Sequence, residues 1–193
     1  MDRSSSLLFF LGQILRHPRQ VSAIAPSSPG LARLMAQQLP HSAVRVAEFG
    51  PGLGSLTREI LKVGIAPENL TLFELNEAFC DQLRILFPRV TVINNGAQSI
   101  ADAAFRPFDA VVSGLPLLSM PRTVQFDILS AAFESMVTDG TYVQFTYGPF
   151  PPMDRGVARE LGLSFTHTVR VWKNMPPATV YVYRRARRMC ELA

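Results

Sequence analysis

Three glycines, Gly50, Gly52 and Gly54, stand at alternate positions in VAEFGPGLG, directly behind an apolar run. Glycine removes the side chain that would hold a ligand off the backbone. A turn that follows a parallel strand also leads the ligand to the free N–H groups of the next helix. The spacing is G-x-G-x-G, whereas a dinucleotide fingerprint would want glycine at 55, where the chain has Ser55. Two carboxylates accompany the glycines. Glu48 stands at the end of the apolar run. Glu74 closes the next one, about 20 residues past the glycines, where a carboxylate can take both hydroxyls of a ribose. This set suits a nucleoside carrying a bulky extension other than phosphate.

Alternating elements must hold these residues. VRVAEF reads as a buried strand, SLTREILKVG as a helix closed by Gly64, and LTLFEL as a second strand. NEAFCDQLRILF predicts a helix capped by Asn76, with Phe79, Leu83, Leu86 and Phe87 inward and Cys80 in the core. VTVIN and FDAVVSGL follow as strands, then PRTVQFDILSAAFESMV as a helix ended by Asp139-Gly140, then TYVQFTY as a strand. LSFTHTVRVWKN and ATVYVYRR read as two strands around a Pro176-Pro177 turn. Ahead of all these, Leu7, Phe10, Leu11, Ile14 and Leu15 keep helical spacing up to Pro18, with Leu8 and Phe9 widening the apolar face. A further helix begins with Ser28 as cap and Pro29 in its first turn, burying Leu31, Leu34, Met35 and Leu39. Strands alternating with helices imply an α/β, doubly wound, mostly parallel sheet covered on both faces, with an antiparallel C-terminal hairpin. We divide the chain into N-terminal amphipathic helices (1–40), for membrane contact and site cover, and a ligand-binding domain (41–193). No internal repeat or low-complexity linker interrupts it.

Composition narrows the partners. The chain has 193 residues, enough for one domain with a proper core, and 48% of them are hydrophobic against 18% charged. The net charge of +4 is modest, yet Arg3, Arg16 and Arg19 surround the first apolar run and Arg184, Arg185, Arg187 and Arg188 cluster late in the chain. Such clusters suit an anionic partner, nucleic acid or membrane. Cys80 and Cys190 make neither a disulfide framework nor a metal-ligand spacing, so no metal is expected. LLFFLGQIL is far shorter than the roughly 20 residues that span a bilayer. HPRQ after it lacks a signal-cleavage pattern.

VAEFGPGLGSLT followed by LTLFELNEAF resembles the cofactor site of class I S-adenosylmethionine-dependent methyltransferases, with their Rossmann-like fold. The similarity is greatest to the branch containing the rRNA adenine dimethyltransferases and the bacterial phosphatidylethanolamine N-methyltransferases. The resemblance implies that Gly50, Pro51, Gly52 and Gly54 pass under the methionine part of S-adenosylmethionine, whose product is S-adenosylhomocysteine. It places Glu48 near the cofactor's amino group and Glu74, with Leu75, at the ribose. Where the family often has an acid for the adenine amine, this chain reads Asn95-Gly96-Ala97. Gly96, Ala97 or the amide of Gln98 are the substitutes. Ser113 is expected nearby, and Ile24, Ala25, Pro26 and Ser27 resemble a segment that approaches the cofactor.

The fourth strand bears on the substrate. Base-methylating relatives carry an N-L-P-Y type motif there, but this chain has Ser113-Gly114-Leu115-Pro116-Leu117-Leu118. A flipped adenine would find neither the amide acceptor nor the stacking ring, so nucleic acid is disfavoured. VVSGLPLLSMP, AIAPSSPGLARLMA and VWKNMPPATVYVYRR resemble the phosphatidylethanolamine enzymes instead. This implies methylation of the amine of phosphatidylethanolamine and its partly methylated products toward phosphatidylcholine. The protein would act from the cytoplasm, bound peripherally to the inner face of a bacterial cytoplasmic membrane. Leu7, Phe9, Phe10 and Leu11, with Arg16 and Arg19, have the composition of an interfacial helix for an anionic leaflet, and Leu115 would face the substrate. Tyr147, at the carboxyl end of TYVQFTY, can hold a methylated ammonium on its ring face and relay a proton through its hydroxyl. Of the histidines only His17 is considered as a base. Phe150 and the GPFPPM loop would help close the site, and Arg155 or Arg159 would contact lipid phosphate. No obligate protein partner is evident. An rRNA adenine N6-methyltransferase and a non-catalytic binding protein of the same fold are the alternatives.

Overall fold

The computed structural model describes residues 29–103, 105–147, 150–171 and 177–186. One seven-stranded sheet runs in the order β3-β2-β1-β4-β5-β7-β6. Its strands are β1 (Val46–Phe49), β2 (Leu70–Phe73), β3 (Thr91–Ile93), β4 (Phe108–Ser113), β5 (Met136–Thr146), β6 (Leu163–Val171) and β7 (Ala178–Arg185). β1 to β5 are parallel, while β7 lies antiparallel between β5 and β6. The expected hairpin is therefore present, with its second strand inside the sheet and its first at the edge. The strand order reverses between β1 and β4, which opens a crevice at their carboxyl ends.

Helices cover both faces. One face carries α1 (Pro29–Ala36), α2 (Ser55–Lys62) and α3 (Glu77–Leu86); the other carries α4 (Ile100–Ala103), α5 (Arg122–Glu134) and α6 (Arg155–Glu160). Alternation along the strands divides the core between them. Val46, Leu70, Leu72, Ala110, Val112 and Val143 face the first set, and Ala47, Phe49, Phe73, Val111 and Tyr142 face the second. The α1 residues Leu31 and Met35 are fully buried in the first core, which also holds Phe145 and Val180.

Local chemistry sets the ends of these elements. Asn76 caps α3 by accepting the Phe79 N–H at 3.2 Å, and Gly64, at φ 107°, lets the chain leave α2. α1 stops at Ala36; Leu39 is buried from the turn beyond it, ahead of Pro40. Two expectations are corrected. Leu86 points outward because the buried stripe of α3 is Cys80, Leu83 and Phe87, and Leu86 sits about 120° round the helix from Cys80. α5 ends at Glu134, not near residue 137: Ser135 closes it, its carbonyl accepts the Phe108 N–H at 2.8 Å, and Met136 is already paired with Phe108. The register then shifts before Thr141 joins Ala110, so Asp139 and Gly140 belong to an irregular start of β5.

Candidate active site

The glycine turn after β1 is built around three left-handed residues, Gly50 at φ 67°, Gly52 at 53° and Gly54 at 77°. A Cβ on Gly50 would come within 2.9 Å of Leu115 Cδ2, and one on Gly54 within 2.5 Å of Phe87 Cε2. One on Gly52 would meet nothing within 4 Å. Two of the glycines thus make room for the protein's own side chains. Only Gly52 opens onto free space.

The two carboxylates differ. Glu48 is fully buried; Thr57 Oγ1, from α2, donates to its Oε2 at 2.7 Å, and its Oε1 has no partner. Burial pushes the Glu48 carboxyl up to about 8; the Thr57 hydrogen bond opposes the shift, and the neighbouring Glu74 charge adds to it. Glu74 follows β2 and binds the turns together. Its Oε2 accepts the Gly52 N–H at 3.1 Å and its Oε1 the Asn76 N–H at 2.9 Å. Each oxygen keeps a further lone pair for a ligand hydroxyl. Asn94 Nδ2 braces the backbone beneath by donating to the carbonyls of Glu74 and Leu75 at 3.0 and 3.1 Å.

After β3, Asn95 Oδ1 accepts the Gly96 N–H at 2.8 Å. Gln98 folds back over this turn: a Cβ on Gly96 would lie 2.5 Å from both its Oε1 and its Nε2. Gln98 Oε1 is buried and has no partner. Ala97 is buried beside it.

The turn after β4 touches the glycine turn backbone to backbone. Gly114 N–H donates to Phe49 O at 2.8 Å, and a Cβ on Gly114 would sit 3.0 Å from Gly50 O. This turn is satisfied from within. Leu115 O accepts from Leu117 N–H at 2.9 Å and from the buried Gln144 Nε2 at 2.8 Å. Ser113 Oγ accepts the Leu115 N–H at 3.3 Å. The Tyr142 hydroxyl donates to Gln144 Oε1 at 3.4 Å, and burial keeps that phenol protonated by raising its pKa.

Several solved structures match the fold of this chain over most of its length. A 1,6-didemethyltoxoflavin-N1-methyltransferase from Burkholderia thailandensis matches with a TM-score of 0.72 over 96% of this chain and 92% of its own, at 13% identity. The chain has the class I methyltransferase fold. A TehB-like SAM-dependent methyltransferase from Corynebacterium glutamicum shares that fold with a TM-score of 0.64 at 19% identity, covering 91% of this chain and 97% of its own. In sequence, the chain is 27% identical to an ornithine lipid N-methyltransferase of Singulisphaera acidiphila over 186 residues, 91% of this chain and 94% of that protein. No family model matches.

Within this methyltransferase fold the residues expected from sequence separate into groups. Glu48, Gly50, Pro51, Gly52, Gly54, Glu74 and Leu75 gather at the carboxyl ends of β1 and β2, and Gly96, Ala97 and Gln98 at that of β3. Ser113 does not reach the opening: it is fully buried, and its hydroxyl supports the turn. Leu115 is half-buried against Gly50. Tyr147 is half-buried after β5, its ring edge-to-face with Phe145 at 5.2 Å. Ile24, Pro26, Leu7, Phe9, Phe10, Leu11, Arg16 and Arg19 lie outside the described residues, as do Arg3, His17 and Trp172. Tyr181 stacks on Tyr183 with ring centroids 6.1 Å apart, inside the terminal hairpin.

Four residues escaped sequence reasoning: Thr57, Asn94, Gln125 and Gln144. Thr57, Gln125 and Gln144 are polar side chains on otherwise apolar buried stripes, which is the signal that could have found them. Asn94 carries no such mark, because it serves the backbone of a neighbouring turn.

Proposed function

We propose that the protein transfers a methyl group from S-adenosylmethionine to the amine of a membrane lipid. The observation that carries the cofactor half is a set of unused polar atoms at the carboxyl ends of β1 to β3, with open space over Gly52. Glu48 Oε1 and Gln98 Oε1 are buried acceptors without partners, Glu74 keeps lone pairs, and Gly52 leaves the floor clear. Those groups match, in order along β1 to β3, an ammonium, a pair of ribose hydroxyls and an exocyclic amine. An ammonium beside Oε1 would favour the Glu48 carboxylate over its acid form. Gln98 supplies through its amide the acceptor that an acid supplies in the family's usual pattern.

When bound, the cofactor supplies a methyl group already activated on a sulfonium. The chain's task is then to align an amine lone pair with that methyl carbon and to exclude water. Gly114 and the half-buried Leu115, packed against Gly50, form an apolar wall between the cofactor turn and the crevice. This wall offers no side-chain acceptor to a planar base amine, which favours a flexible aliphatic amine. Tyr147, just beyond the carboxyl end of β5, contributes a ring face to the methylated ammonium and a hydroxyl to the departing proton.

Two headgroups fit this reading. The phosphatidylethanolamine amine follows from the sequence resemblance, and the ornithine lipid amine from the named Singulisphaera relative. Both carry a primary amine close to an anion. Incubation with radiolabelled S-adenosylmethionine and vesicles of either lipid, with unmodified rRNA as the third arm, tests the proposal. Label in a lipid is the expected result and identifies the headgroup. Label in rRNA alone, or in nothing while the cofactor binds, overturns it. Tyr147→Phe tests the proton route: full activity would limit Tyr147 to ring contact.

A further inference from the structure

The described residues leave large apolar side chains exposed at both ends of the sheet, and the two sets differ in their surroundings. At the carboxyl ends of the adjacent strands β4 and β5, Leu118 is 52% exposed and Phe150 65%. Their neighbours in sequence are not. Leu117 and Met120 are buried on one loop and Met153 on the other, so the loops are anchored while Leu118 and Phe150 stand out. Gln125, itself buried in α5, ties the two loops into one lip. Its Nε2 donates to Met120 O at 3.0 Å, and its Oε1 accepts the Asp154 N–H at 2.8 Å. A third exposed apolar residue, Leu53, follows β1 at the same end.

The lip also carries unpaired positive charge. Arg122 takes up both neighbouring acids, reaching Glu160 at 3.0 Å and Asp154 at 3.7 Å. That leaves Arg155 and Arg159, exposed on α6, with no ion pair among the described residues. At the amino ends of β1 and β4, Val44 and Phe105 are as exposed, and Arg45, Arg106, Arg184 and Arg185 share that end with Asp109, Glu134 and Asp139. Position separates the two ends: the crevice opens at the carboxyl ends of β1 and β4, beside the lip, where Arg155 and Arg159 can attract an anionic surface.

We infer that Leu118 and Phe150, set on the lip that Gln125 holds together and flanked by Arg155 and Arg159, form the surface that docks onto an anionic lipid bilayer. Docking there faces the crevice toward the membrane, so a lipid amine reaches the turn after β4 without leaving its leaflet. The inference rests on the lipid reading above for its purpose, but its test does not depend on turnover.

The experiment is flotation of the full chain with vesicles of phosphatidylethanolamine and phosphatidylglycerol. The double variant Leu118→Ser/Phe150→Ser should partition about tenfold more weakly, since apolar insertion is lost. The matched double variant Val44→Ser/Phe105→Ser, at the opposite end, should partition like the parent. Arg155→Glu, which leaves the lip's apolar residues intact, should weaken binding at low salt and converge on the parent at high salt. Titration with S-adenosylmethionine by calorimetry keeps the two readings apart: the lip variant should bind it as the parent does. If the lip variant floats as well as the parent, or if both double variants lose binding equally, the inference fails. If the parent floats but takes up no S-adenosylmethionine, the docking surface stands and the enzymatic reading falls.

Discussion

The turn after β1 and the turn after β4 lie against each other, with Gly114 N–H on Phe49 O, yet they are finished differently. The first leaves polar capacity unused: a Glu48 oxygen with no partner, a Glu74 carboxylate with lone pairs to spare and a bare Gly52. The second closes every polar group it is seen to use, with Gln144 and Leu117 both donating to one carbonyl and Ser113 to hand beneath. A buried acceptor without a partner costs about 1–3 kcal/mol, so it persists where a ligand will complete it. The contrast separates a half built for a polar, multiply recognised nucleoside from a half that presents shape and little else to its substrate.

Removing the carboxylate that spans two turns should break the first half most severely. Glu74→Ala takes away the acceptor of the Gly52 and Asn76 N–H groups together with the proposed ribose contact. Cofactor affinity should fall by about 100-fold or more, at about 1.5–3 kcal/mol per charge-assisted bond, as read by calorimetry. Unchanged affinity would remove Glu74 from the ribose.

Next in size is a pair of substitutions that divides the glycines. Gly54→Ala combines positive-φ strain with a Cβ driven into Phe87, and thermal unfolding should show a loss of about 3 kcal/mol. Gly52→Ala carries only the strain, about 1–2 kcal/mol, but should weaken cofactor binding more than stability. Equal behaviour of the two would erase the distinction between packing and ligand room.

Glu48 gives a pH signature. Its folded value, about 8, lies above the ordinary 4.5, so between those values the folded protein holds a proton that the unfolded chain has released. The ligand-free protein should therefore lose stability as pH rises from about 4.5 to 8, and Glu48→Gln should flatten that slope in thermal melts. A cationic ligand group beside Oε1 reverses the sign for binding: affinity should rise toward pH 8, with a proton released, detectable in buffers of different ionisation enthalpy. The smallest effect is expected from the second half. Gln144→Leu frees one bond on a carbonyl that keeps another, so lipid KM should rise by about tenfold at most while cofactor affinity stays put.

The alternation of VRVAEF, SLTREILKVG and LTLFEL made the parallel half of the sheet legible because it is a local periodicity, and the spacing from Gly50 to Glu74 pointed to a nucleoside, while the cofactor itself followed from the family resemblance. What stayed hidden depends on tertiary neighbours. Nothing local says that Phe87 would fill the space over Gly54, that Thr57 would meet Glu48, or that Ser113 would turn inward. Leu86 and the end of α5 were misread for the same reason. An apolar residue at the end of a helix faces whichever way the preceding stripe dictates, and Met136 left the helix to pair with Phe108. The insertion of β7 between β5 and β6 is likewise a choice among edges that a hairpin pattern does not make.

That insertion bears on how the chain is made. β5 sits near the middle of the finished sheet, but its partner on one side, residues 178–185, is the last of the described strands to be synthesised. Until that segment emerges from the ribosome, β5 presents an open row of hydrogen-bonding groups and β6 has nothing to pair with. Nascent chains halted just before Ala178 should therefore be the species most in need of a chaperone.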